Sequence, residues 1–112
     1  MKEIKACIQN HRIGDVIRAL KDSAQCSGGA GCRNLVVLPV QSLLKPVDAR
    51  QQHYSLELAE EVINESMLEL LCEDHQVEEL VDTIARTART GQAEAGWIYV
   101  SDVISITPIR WP

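Results

Sequence analysis

Residues 77–103 read VEELVDTIARTARTGQAEAGWIYVSDV, and two periodicities meet inside them. Val77, Leu80, Val81, Ile84 and Ala88 recur at steps of three and four, the apolar stripe of an amphipathic helix. Asp74 stands just before the stripe as an N-cap, Glu78 and Glu79 fall in the first turn, and Arg86 and Arg89 in the last. That charge order suits the helix dipole. Gly91 occupies the place of a C′ glycine, which ends a helix by taking a left-handed conformation. After a polar break, Trp97, Ile98, Tyr99 and Val100 make an aromatic and β-branched run, the composition of a strand. A helix feeding a strand is the closing half of a β-α-β unit, so the fold turns on what precedes it.

Working outward, SMLELLCE at 66–73 is the strand that leads into this helix. At the start of the chain, residues 2–9 alternate, with Ile4, Ala6 and Ile8 on one face and Lys5, Cys7 and Gln9 on the other. Ile13, Val16, Ile17 and Leu20 then give a helical stripe over 11–22. Residues 23–33 are a break holding Gly28, Gly29 and Gly31, and the LVVL run at 35–38 is a second strand that Pro39 ends or bulges. Residues 42–55, SLLKPVDARQQHYS, have no period and read as a long loop, a length usually kept for function. The LELAEEVI run at 56–63 fits a short helix or the ascending arm of a hairpin, and 103–109 is a further extended stretch. The order β-α-β-β-α-β predicts an α+β, ferredoxin-like sandwich: a four-stranded antiparallel sheet with two helices on one face, in a single domain over 1–112. The other face would carry Cys7, Val37 or Leu38, Met67 or Leu68, and Tyr99. That set is too apolar to stay wet, which predicts burial against identical subunits.

Composition excludes several function classes. The chain has 112 residues, 11 Lys and Arg against 16 Asp and Glu, and a net charge of −5, which argues against a nucleic-acid partner. There is no Phe, and Tyr54, Trp97, Tyr99 and Trp111 are the only aromatics, so base stacking has little to build on. No apolar run is long enough for a membrane span, and the opening MKEIKACIQ lacks the pattern of a secretory leader. A cytoplasmic protein with no direct membrane insertion is the expectation, and its cysteines, Cys7, Cys26, Cys32 and Cys72, should then be reduced thiols. Nothing resembles a Ser-His-Asp arrangement or an isolated carboxylate pair, so the chain does not read as an enzyme.

The run Thr83-Ile84-Ala85-Arg86-Thr87-Ala88-Arg89-Thr90-Gly91, followed by Gly96-Trp97-Ile98-Tyr99-Val100, resembles the second helix, B-loop and last strand of the PII signal-transduction superfamily. Met1-Lys2-Glu3-Ile4-Lys5-Ala6 and Val16-Ile17-Arg18-Ala19-Leu20 are similar to that family's first strand and helix. The resemblance implies a homotrimeric regulator that binds ATP or ADP, often with 2-oxoglutarate, in clefts between subunits and docks on a target enzyme, transporter or transcription factor. It makes 42–63 a T-loop-like segment, 91–97 a B-loop-like segment and 104–112 the C-terminal segment. By the same resemblance Gly91, Gly96, Trp97 and Arg110 stand at effector positions, and ADP, ATP or AMP are the candidate ligands. The match is degraded there: the family's Gly-Asp-Gly-Lys is Glu94-Ala95-Gly96-Trp97, and its two C-terminal arginines correspond to Pro108 and Arg110. Lys45, Gln52, His53 and Tyr54 are the candidate partner contacts on the long loop.

The remaining motifs are weaker. The glycines at 28–31 run from helix into strand, whereas a phosphate cradle runs from strand into helix, so they read as a connector. Cys26 and Cys32 flank them at a spacing that matches no common zinc pattern, yet they offer a disulfide or two soft ligands for a divalent metal. That pair carries the alternative function, a metal-responsive protein resembling CutA-type or heavy-metal-efflux-associated relatives of the same fold. Glu57, Glu60, Glu61 and Glu65 read as a solvated acidic face, and His11 and His75 as ordinary surface residues before the two helices.

Overall fold

The structure is a computed structural model that describes residues 1–26, 33–43 and 52–111. The glycine break, Cys32 and Lys45 lie outside the described residues. Seven elements follow in order: β1 (Lys2–Gln9), α1 (Asn10–Asp22), β2 (Arg33–Ser42), β3 (Gln52–Ser55), β4 (Glu60–Cys72), α2 (Val77–Thr87) and β5 (Gly96–Asp102), with a 3-10 turn at Asp74–Gln76 leading into α2. The main sheet runs β2-β4-β1-β5, all pairs antiparallel, and β3 is added alongside β4. This is the α+β ferredoxin-like order read from the sequence, with one short strand more than the four expected.

The core lies between the sheet and the two helices. Ile4, Ala6 and Ile8 of β1 and Leu68, Leu70 and Cys72 of β4 meet Val16 and Leu20 of α1 and Leu80 and Ile84 of α2. All are aliphatic or small, as a chain without Phe requires. Burying each large side chain of this set contributes on the order of 1.5–3 kcal/mol. Burial also pushes the Cys72 thiol above its ordinary value, so it behaves as a small apolar residue.

Three expectations give way. The long loop of 42–55 ends early: residues 52–55 are strand β3, and the LELAEEVI run resolves into the hairpin arm, since β4 starts at Glu60 and continues unbroken to Cys72. Ser55 closes the turn, its Oγ accepting from Leu58 N at 3.2 Å and its carbonyl from Ala59 N at 2.8 Å. Asp74 is not the N-cap. Glu73 caps the turn in a reciprocal box with Gln76, while the Asp74 carboxylate accepts from the Met1 amine at 2.7 Å. Gly91 is not a C′ glycine either, because α2 stops at Thr87 and Gly91 has ordinary negative φ. The Arg12 guanidinium ends that helix instead, donating to the Thr87 carbonyl at 2.6 and 3.1 Å.

Among the described residues, the second face of the sheet carries no helix. Residues directly opposite in a ladder share a face, and the registers line up two rows across it: Trp97, Cys7, Met67 and Leu38, then Tyr99, Lys5, Glu69 and Val36. Leu38 and Met67, not Val37 and Leu68, are therefore the outward pair. Trp97 and Tyr99 are each about half exposed at 49% and 50%. Beyond β5 the chain runs on without regular secondary structure, tied by a main-chain bond from Val103 N to the Met1 carbonyl, and Ile104, Ile109 and Trp111 are fully or almost fully exposed.

Candidate functional site

A cavity of about 260 Å³ opens where the segment between α2 and β5 folds over the end of β1. Ile8, Ile84 and Ile98 form its apolar floor; Arg89, Thr90 and Gln92 bring polar groups, and Gly96 and Trp97 stand at its edge. An apolar body with a few convergent polar groups is the make-up of a small-molecule site. Among the described residues Arg89 supplies the single cationic side chain of the lining.

Two contacts hold the covering segment. Gln9 Nε2 donates to Gln92 Oε1 at 2.6 Å, joining the end of β1 to the segment's middle. Thr90 Oγ1 accepts from Gln92 N at 3.0 Å and makes the turn. With the Arg12 fork on Thr87, the strand end and the first helix both fix where the segment begins. Gly96 closes the other end. Its φ is +155°, and a Cβ there would lie 2.0 Å from the Cys7 carbonyl oxygen, so only glycine lets β5 come this near β1.

On the uncovered face, beside this cavity, Glu65 is 2% exposed. Cys7 Sγ donates to its Oε1 at 3.3 Å and lies 3.8 Å from Ser42 Oγ. Glu65 is thus set apart from Glu57, Glu60 and Glu61, which are exposed as a solvated face should be. Its even-numbered spacing from Met67 along β4 was the available signal, but the acidic company masked it.

The geometry can be set beside known proteins. The family profile described as "Nitrogen regulatory protein P-II" matches residues 48–111. The chain belongs to the P-II family. It is 26% identical over 110 residues to "Nitrogen regulatory protein P-II 2" of Methanothermobacter thermautotrophicus, covering 98% of this chain and 90% of that one. It is 27% identical to "Nitrogen regulatory protein P-II" of Porphyra purpurea and 29% to "Nitrogen regulatory protein P-II 1" of Escherichia coli K12, covering 98% of this chain and 92% of each relative. The resemblance read from the two ends of the sequence therefore holds along nearly all of it.

Within this P-II chain the effector residues named from the sequence separate. Gly96 and Trp97 line the cavity; Gly91 is exposed near it but outside the lining, and Arg110 lies exposed on the C-terminal segment. Gln52, His53 and Tyr54 sit on β3 instead of in a loop. Cys26 is disulfide-bonded, which corrects the expectation of four reduced thiols and leaves it no thiolate for a metal; Cys7 and Cys72 are buried and in no disulfide. Arg89, Thr90, Gln92, Gln9 and Arg12 were missed as site residues. Arg89 and Thr90 stood inside the quoted family match; Gln9 and Arg12 reach the site only through folding. No helix among the described residues is long and apolar enough to cross a membrane.

Proposed function

We propose that this P-II family member is a homotrimeric cytoplasmic signalling protein that senses an adenine nucleotide at its subunit clefts. It acts on a target enzyme or transporter through residues 42–63. The observation that carries the reading is the cavity under residues 88–97, in the part of the chain that the family profile matches. Its apolar floor suits a nucleobase and sugar, and Arg89 suits a phosphate. One arginine in the lining favours a short phosphate chain, so AMP and ADP should bind ahead of ATP. The uncovered sheet face and the exposed C-terminal segment support the trimer, since a neighbour would bury both and bring Arg110 toward a cleft.

Isothermal titration of the purified protein with AMP, ADP and ATP tests the reading. Binding should appear with at least one of them, and Arg89→Ala should weaken it roughly ten- to hundredfold, the worth of a charged hydrogen bond. Absence of heat with all three nucleotides sinks the nucleotide reading.

A further inference from the structure

A second cavity, of about 240 Å³, shares no lining residue with the first, although its Gln9 bonds to Gln92 of that one. Its walls come from elements far apart in sequence: Asn10 and His11 from the first turn of α1, His53 from β3 and Asn64 from β4, with Gln9 and Ile63 completing the lining. The β3–β4 ladder, Gln52 on Ile63 and His53 on Val62, holds the far wall against the strand that pairs with β1. Two imidazoles thus open on one small groove. Neither ring is engaged in a hydrogen bond or ion pair among the described residues. Asn10 Oδ1 accepts from Ser66 Oγ at 2.8 Å, which fixes the amide next to His11.

The chemistry of this lining is selective. Among the described residues it holds no Lys or Arg, which would draw an anion, and no Asp or Glu, the usual ligands of hard cations such as calcium or magnesium. What it presents are imidazole nitrogens with carboxamide oxygens beside them, a donor set suited to borderline divalent ions. The chain's net charge of −5 favours the approach of a cation. From this juxtaposition we infer that His11 and His53 form a divalent transition-metal site, taking zinc or a similar ion. The described residues gather no group of three His, Cys, Asp or Glu side chains, so the ion keeps water or carboxamide oxygen in its remaining positions. Such a site exchanges metal with solvent instead of acting as a structural staple. Bound there, the ion ties the first turn of α1 to the β3–β4 ladder.

The test is zinc titration of the full-length protein by calorimetry, with native mass spectrometry for stoichiometry. One ion per chain is expected. His11→Asn and His53→Asn should each weaken binding by about tenfold or more, because even a partner outside the ligand shell is worth that much at metal sites. The double variant should lose the ion, and His75→Asn, on the turn before α2, should keep wild-type affinity. Circular dichroism shows each variant folded, and replacement of Cys26 and Cys32 by Ser separates this site from any thiol. No uptake of zinc, uptake unchanged in the double variant, or equal loss on replacing His75 would each overturn the proposal.

Discussion

At the scale of single residues, Gly96 illustrates how one position serves two constraints. The family resemblance implies an effector position for it, and the geometry marks it as the point where β5 closes on β1. The second constraint is the harder, since an added Cβ at 2.0 Å from the Cys7 carbonyl and a φ of +155° cannot be relieved by a rotamer change. Gly96→Ala should destabilise the protein by about 2–4 kcal/mol, the range of strained backbone plus overpacking. Urea unfolding followed by circular dichroism checks this, and a loss under about 1 kcal/mol would show that the strand start moves freely. The sequence made Gly96 legible as special but not why. Glu65 and His53 were less legible still, because burial of a carboxylate and convergence of two imidazoles depend on which residues the ladder sets opposite each other.

Among the elements, periodic segments read well and boundaries did not. β1, α1 and the body of α2 carry apolar stripes that only one secondary structure satisfies. The end of α2 misled because Arg89 and Gly91 form a good stop signal four residues beyond the true stop at Thr87. A side chain from α1 decides it instead. Arg12 donates twice to the Thr87 carbonyl and also pairs with Asp15 at 3.0 Å. Strand β3 was illegible for a related reason: QHYS has no apolar alternation, and its extended form comes from pairing with β4. Arg12→Ala should cost about 1–2 kcal/mol, at the low end for a charged hydrogen bond because the guanidinium is partly solvated. It should also speed amide exchange across 88–93 more than across β1 or β4, which hydrogen–deuterium exchange reads residue by residue. Uniform acceleration over the whole chain would mean that Arg12 serves global stability alone.

At the scale of the whole molecule, the β-α-β-β-α-β order already marked one sheet face as apolar and without helices. The registers sharpen it into a row of Trp97, Cys7, Met67 and Leu38 beside a row that centres on Lys5, whose Nζ lies 3.8 Å from Glu3 and 3.6 Å from Glu69. A charged cluster next to an apolar row suits a surface that packs against a copy of itself, since the ions fix register while the apolar side chains supply the driving force. Leu38 is 43% exposed on an edge strand of the single chain, so a glutamate there meets water and should change monomer stability by no more than about 0.5 kcal/mol. In a trimer the same carboxylate would be buried three times over against apolar neighbours, which costs several kcal/mol without a partner. Leu38→Glu should therefore convert a particle of about three times 12.5 kDa into single chains that keep their helical circular dichroism signal. Sedimentation velocity at several concentrations measures the change. Survival of the trimer in this variant would place the subunit contact elsewhere, on the C-terminal segment that carries Ile104, Ile109 and Trp111.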